Sequence, residues 1–194
     1  MNPPVVFSAT EAQRRQVIDV ITLAFVADPL ARWAIPNASD YLKWTPDFID
    51  AFGCNGLPHG SAYVVEGFAG AALWLPPGVQ PDGDRMAAIA EQCVHADVLP
   101  DFSSVFEQMG NYHPKQPHWY LPMIGVDPAQ QGRGFGAALM RHAAQRFDRE
   151  GAVAYLESSN ARNIPLYQRH GFEILGTVQV GSSPEIVPML RTPR

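Results

Sequence analysis

Apolar residues recur at helical spacing early in the chain, at Val17, Val20, Ile21, Ala24 and Phe25. Thr10 followed by Gln13 reads as a capping box that opens this helix, and Asp28-Pro29 stops it. Residues 5–7 form a short β-type run before it, and 30–36, with Trp33, read as an aromatic-containing loop. Tyr41, Leu42, Trp44, Phe48 and Ile49 predict a second helix over about 39–52, with Pro46 as a kink. After a turn-rich stretch at 53–60, two apolar runs at 61–66 and 69–75 predict strands joined by a tight turn near Gly67. Residues 82–112 have a helical pattern, read as two short helices broken at Pro100. A strand at 118–126 leads through a glycine loop into a helix. That helix carries Leu139, Met140, Ala143, Ala144 and Phe147 on one face and Arg141, His142, Gln145, Arg146 and Arg149 on the other. Gly151 stands where a C-terminal glycine cap belongs. A strand follows at 153–157, and Asn160 or Asn163 caps a short helix that contains Leu166 and Tyr167 and ends at Gly171. Residues 172–180 and 186–190 read as closing strands. Helices and strands alternate with antiparallel hairpins at both ends, which predicts an α/β protein with a mixed sheet and helices on its faces. No linker or repeat interrupts the pattern, so 1–194 is expected to be a single domain.

Composition changes this picture mainly by exclusion. With 194 residues, 46% apolar and 17% charged, the chain can bury a sizeable core. A formal charge of −5 disfavours a nucleic-acid partner and is weakly compatible with a cationic substrate. Two cysteines, Cys54 and Cys93, have neither metal-type nor disulfide-framework spacing, so free thiols and a cytoplasmic setting are expected. The first residues lack the pattern of a secretory leader, and no apolar run reaches membrane-spanning length. His113 and His118 lie close in sequence but have no third ligand, so no metal is expected.

The candidate chemistry lies after the strand at 118–126. Val126-Asp127-Pro128 passes into Gln130-Gln131-Gly132-Arg133-Gly134-Phe135-Gly136-Ala137, where a helix begins. A helix N-terminus offers unpaired N–H groups and a partial positive charge, which suits an anion and phosphate above all. A mononucleotide P-loop is excluded because Ala137-Ala138 stand where Lys-Ser/Thr would be needed. Gly132, Gly134 and Gly136 have the wrong spacing for a dinucleotide fingerprint. Gln131, Gly134 and Gly136 do match a Q-x-x-G-x-G pattern.

This stretch, preceded by Ile124-Gly125-Val126-Asp127-Pro128, resembles the acetyl-coenzyme A loop of the GNAT superfamily of N-acetyltransferases. A second stretch, Asn160-Ala161-Arg162-Asn163-Ile164-Pro165-Leu166-Tyr167-Gln168-Arg169-His170-Gly171-Phe172, resembles the family's later motif at the expected distance. Together the two cover about 122–172. The resemblance implies a GNAT fold, with a mostly antiparallel sheet splayed between the strands at 118–126 and 153–157 and helices on both faces. It implies an acetyl-coenzyme A-dependent transfer to a primary amine of a small molecule or peptide by direct attack. Backbone groups of Ile124 and Val126 would hold the pantetheine arm, and Gln131, Gly132, Arg133, Gly134, Phe135, Gly136 and Ala137 the pyrophosphate. Asn160 and Asn163 would bond the arm or cap the helix.

Tyr167 stands where the family often has the acid that protonates the departing sulfur, and it could equally serve as a packed ring. Glu157 and His118, at the ends of the two splayed strands, are the candidate general bases. The stretch 28–33 and Tyr63, Trp74 and Trp119 are candidates for the acceptor pocket, with a core role as the alternative for the aromatics. The stretch 82–112 reads as a lid or a dimer surface, which leaves a homodimer open. Two rivals stand beside the transferase reading: a non-catalytic acyl-coenzyme A-binding module on the same fold, and a transferase of another acyl group.

Overall fold

Apolar side chains alternate across the strands and feed two layers. The computed structural model describes residues 4–194; Met1 to Pro3, the start of the stretch read as lacking a leader, lie outside the described residues. Seven strands form one sheet: β1 (Val6–Ser8), β2 (Ala62–Val65), β3 (Gly70–Leu75), β4 (His118–Val126), β5 (Val153–Ser158), β6 (Glu173–Ile174) and β7 (Val187–Arg191). Their order is β1-β2-β3-β4-β5-β7-β6. Every neighbouring pair is antiparallel except β4 and β5, which run parallel. The expected mixed, mostly antiparallel sheet is therefore present.

Ala62, Val64, Ala71, Leu73, Leu75, Tyr120 and Tyr155 face one side, where they meet α1 (Arg14–Ala24) and α3 (Ala38–Gly53). Tyr63, Val65, Ala72, Trp74, Trp119, Leu121, Ala154 and Leu156 face the other side and pack on α6 (Phe135–Glu150) and α7 (Ile164–Arg169). Each fully buried large apolar side chain contributes about 1.5–3 kcal/mol. β2 and β3 are buried at every position, because both faces are covered.

Several local readings are corrected. Residues 30–36 are not a loop: Asp28 caps a further helix, α2 (Pro29–Ala34), accepting bonds from the N–H groups of Leu30 and Ala31. Asp-Pro thus ends one helix and begins another, since proline suits the first helical position. Pro100 does not break the stretch 82–112. It sits in the first turn of α5 (Leu99–Tyr112), and the break from α4 (Gly83–Cys93) falls just before it. The turn-rich stretch at 53–60 is largely a 3₁₀ helix, Cys54–His59. Of the closing strands, β7 has the expected length and the one expected at 172–180 is shorter. β6 has only two residues, joined by an isolated bridge between Val178 and Ile186. Of the two asparagines, Asn160 caps, accepting from the Arg162 N–H, whereas Asn163 makes no capping bond. Among the described residues no helix is long and apolar enough to cross a membrane.

Candidate active site

The site begins where two parallel strands part. β4 and β5 pair from His118 opposite Val153 to Leu121 opposite Leu156, and no further. Beyond that point β4 stays on β3 as far as Val126 opposite Gly70, while β5 stays on β7 as far as Ser158 opposite Val187. Each strand is held by its outer neighbour, so a wedge opens between them. A local cause lies in β4. Met123 pairs with Leu73 but Tyr120 pairs with Leu75, so β4 carries one extra residue between these pairs, as in a β-bulge. Pro122 stands there, and a proline has no N–H to give to a ladder.

At the open end of β4 lies the glycine loop. Gly132 and Gly134 adopt φ of +76° and +80°, a left-handed region that side chains disfavour, and a Cβ on either would meet nothing within 4 Å. Gly134 is the N-cap of α6 and supplies no side-chain cap. The N–H groups of the first turn, at Phe135, Gly136 and Ala137, therefore have no capping side chain and no intrahelical acceptor. A concave, open set of N–H donors at a helix start fits a pyrophosphate without any basic side chain. The unpaired edge of β4 over 122–126 fits an amide-bearing arm laid alongside it. The residues present thus fit coenzyme A.

The side chains expected to assist are less uniform. Gln131 donates to the Val126 carbonyl at 3.3 Å, which ties the loop to the strand end and occupies that carbonyl. Arg133 is exposed, bonded to Gln130 and stacked over the Phe135 ring. Tyr63, Trp74 and Trp119 are core residues on the α6 side and do not line the acceptor cavity. The Trp119 indole N–H donates to Glu150 at 2.8 Å.

Tyr167 projects from α7 and is 4% exposed, its ring edge-on to Phe172 at 6.4 Å. Burial raises its hydroxyl above the ordinary phenol value, and the charge of Asp28 raises it further. Tyr167 therefore keeps its proton at neutral pH, as an acid must. Asp28 is itself buried. One carboxylate oxygen caps α2, and the other accepts the Ser159 hydroxyl at 2.6 Å, joining the α1–α2 corner to the end of β5. Burial raises the Asp28 carboxyl, and its three hydrogen bonds oppose that rise.

Asp28, Ser159, Glu157 and Pro122 line one cavity, together with residues of α2, α3, α4 and α5. The stretch 82–112, read as a lid or dimer surface, supplies part of its wall through Phe102, Phe106 and Met109. Glu157 is the most exceptional group there. Its side chain is 3% exposed, and Oε1 has no hydrogen-bond partner. His113 Nε2 lies 3.1 Å from that oxygen, at ion-pair distance but out of line for a hydrogen bond. His113 Nδ1 in turn lies 3.4 Å from His118 Nε2, and His118 Nδ1 lies 2.9 Å from the Gln116 carbonyl.

The tautomers follow from these partners. A carbonyl only accepts, so His118 carries its proton on Nδ1 and offers Nε2 as acceptor. His113 then donates from Nδ1, which leaves its Nε2 facing Glu157 Oε1. Burial holds His118 below the ordinary imidazole value, and His113 adds to that lowering. The Gln116 carbonyl and the Glu157 charge oppose it. The buried hydroxyls of Tyr120 and Tyr155 are also raised, first by burial and then by the Glu157 carboxylate. Of the two candidate bases, Glu157 lines the cavity and His118 does not; the chain of nitrogens connects them.

The stretch 28–33, named for the acceptor pocket, does line this cavity through Asp28, Leu30 and Ala31; sequence reasoning weighed His113 only as a metal ligand and missed the bulge at Pro122. A proline inside a strand pattern signalled the bulge. His118, one partner of His113, is close in sequence, but the other, Glu157, comes from β5.

A parted parallel strand pair with an N–H cradle beside it matches the architecture that the resemblance implies, and the comparisons point to acetyltransferases. A profile of the acetyltransferase (GNAT) family matches residues 86–172. An uncharacterized N-acetyltransferase of Schizosaccharomyces pombe is 24% identical over 192 residues, covering 88% of this chain and 76% of that protein. The mycothiol acetyltransferase of Mycolicibacterium gilvum is 43% identical over 63 residues, only 28% of this chain and 21% of that protein. Among solved structures, a Corynebacterium glutamicum protein described as histone acetyltransferase HPA2 and related acetyltransferase has a TM-score of 0.69 at 25% identity, covering 100% of this chain and 98% of that one. Arylalkylamine N-acetyltransferase 2 from Aedes aegypti has a TM-score of 0.67 at 13% identity, covering 100% of both chains, and shows likeness of fold. Residues 86–172 therefore carry the GNAT acetyltransferase pattern, and the chain is an enzyme of acetyl transfer.

Proposed function

We propose that the protein transfers the acetyl group of acetyl-coenzyme A to a primary amine by direct attack, with no covalent enzyme intermediate. The observation that carries this reading is Glu157: a buried carboxylate with an unpartnered oxygen, in a cavity that opens onto the splay. A buried carboxylate oxygen outside any hydrogen bond is costly, so such a group marks a functional site more readily than a structural one. When bound, acetyl-coenzyme A supplies the acetyl group as a thioester.

The chain's own residues would divide the remaining work. Gly132, Gly134, Phe135, Gly136 and Ala137 offer N–H groups to the pyrophosphate, and Ile124 and Val126 offer backbone groups to the arm. Gln131 holds the loop to β4, while Arg133, Asn160 and Asn163 stand at the rim. Glu157 takes the proton that the ammonium must lose before its nitrogen can attack. His113 and His118 form the route by which that proton reaches the surface. Tyr167 gives its proton to the departing sulfur. Amine-named relatives of the fold, such as the mosquito enzyme, support an amine acceptor in a general way. The same reading takes 1–194 as one domain and, with two free thiols, a reducing, cytoplasmic setting.

The test is release of free thiol from acetyl-coenzyme A in the presence of a broad amine panel. Acetylated amine should appear in step with thiol. Thiol release independent of every amine, or an acetylated protein side chain on the pathway, would reject direct transfer.

A further inference from the structure

The same cavity carries information about the acceptor's body. We propose that it takes a primary amine with a single positive charge and an aromatic or hydrocarbon body, held with its nitrogen at Asp28 and Glu157 and its body among Phe48, Phe52, Phe102 and Phe106. This rests on the amine-transfer reading and narrows it to a substrate class.

The polar groups are gathered at one end. The Ser159 hydroxyl bonds to Asp28, and Ser159 lies two residues after Glu157, so both carboxylates border the mouth of the splay. No Lys, Arg or His lines the cavity. A cation is therefore favoured at that end, and an acceptor bearing a carboxylate near its amine would be repelled. Glu157 stands just beyond the last β4–β5 pairing, so the amine end is also the end that opens onto the parted strands.

The opposite wall is neutral and hydrocarbon. Phe102 and Phe106 of α5 lie 4.9 Å apart, and Phe48 of α3 reaches both at 6.4 and 6.3 Å. Phe52 joins Phe106 at 5.9 Å and Tyr120 at 6.1 Å, so rings line the cavity from α5 to the sheet. The polar atoms on this wall are the unpartnered Thr45 hydroxyl and the Cys93 thiol, which burial pushes up to about 11 and so keeps neutral. Neither carries a charge to balance a second ammonium, although the Thr45 hydroxyl could accept one hydrogen bond from it. A diamine or polyamine would leave a charge desolvated against phenyl rings, whereas an aryl or alkyl body gains contact at no such cost.

The experiment measures kcat/KM for phenethylamine, hexylamine, putrescine, spermidine and β-alanine with saturating acetyl-coenzyme A. Binding of each amine to the protein with coenzyme A bound is measured separately by calorimetry. The two apolar-bodied amines should exceed putrescine and β-alanine by at least about 100-fold in kcat/KM. With phenethylamine as acceptor, Asp28→Asn should raise KM more than it lowers kcat. Phe102→Asp should turn the preference toward putrescine, because it places a counter-charge on the far wall; if that variant fails to fold, the wild-type panel decides alone. Putrescine or β-alanine turned over as well as phenethylamine would overturn the assignment while leaving amine transfer intact. Preferential binding of phenethylamine without turnover would uphold it and reject the transferase reading instead. Failure of both apolar-bodied amines to bind would overturn it.

Discussion

The two halves of this site are made of different material. The donor half, from the bulge of β4 through the glycine loop to α6, is backbone: N–H groups at a helix start and a strand edge left open at 122–126. The acceptor half, from Phe25 and Asp28 through α3 and α5 to β5, is side chain: two carboxylates and five phenyl rings. A backbone site is fixed by conformation, so it tolerates changes of side chain but not of φ. A side-chain site is fixed by packing, so single substitutions change what it accepts. The halves meet where β4 and β5 part, at Glu157.

Removing the meeting point should have the largest effect. Glu157→Gln keeps the volume but cannot take a proton, and kcat should fall by about 10² to 10⁴. Acetyl-coenzyme A affinity, a property of the other half, should stay within about twofold, a difference of only a few tenths of a kcal/mol. Retained kcat in this variant would move the base to another residue.

Tyr167→Phe should lower kcat by about 10², the low end for loss of a general acid. Because burial and Asp28 raise its hydroxyl, wild-type kcat should show no descending limb where an ordinary tyrosine titrates, at about pH 10. A limb there that disappears in Tyr167→Phe would contradict the environment assigned to it.

Smaller, and confined to the donor half, is the effect of Gly134→Val. A β-branched residue at φ +80° is strained by about 1–3 kcal/mol. Acetyl-coenzyme A should bind about 10-fold more weakly while relative rates among amines are unchanged. A changed amine preference would show that the two halves are not separable.

The smallest expected effect is on stability. The folded-state value of Asp28 is raised by burial, so the folded protein holds that proton more tightly than the unfolded chain does. Its ionisation therefore costs stability, a cost absent below the ordinary carboxylate range and growing as pH rises through it. Asn at this position keeps a capping oxygen for α2 without the charge. Asp28→Asn should match wild type in thermal midpoint at about pH 3 and exceed it at about pH 8. A midpoint difference that shrinks as pH rises would reverse the sign assigned to this group.

The same contrast explains what the sequence disclosed. The cradle was legible because its conformation is local: glycines at 132, 134 and 136, placed between an apolar run and a helix, dictate it. The splay was legible through the family resemblance, although Pro122, the local mark of the bulge, went unused. The acceptor half was not. Periodicity located α3, α4 and α5, but period alone does not say which faces meet, and Phe48, Phe102 and Phe106 converge only through tertiary packing. Asp28-Pro29 was read as a stop, and its second role as a start stayed hidden with its bond to Ser159, which lies far along the chain. Trp74 and Trp119 read as pocket or core, and alternation on β3 and β4 makes them core beneath α6.

Calorimetric titration of acetyl-coenzyme A into wild type, Gly134→Val and Glu157→Gln tests the division of the site most directly. The account predicts micromolar binding by wild type, a matching isotherm for Glu157→Gln and clearly weaker binding for Gly134→Val. No binding by wild type, or equal loss in both variants, would contradict it.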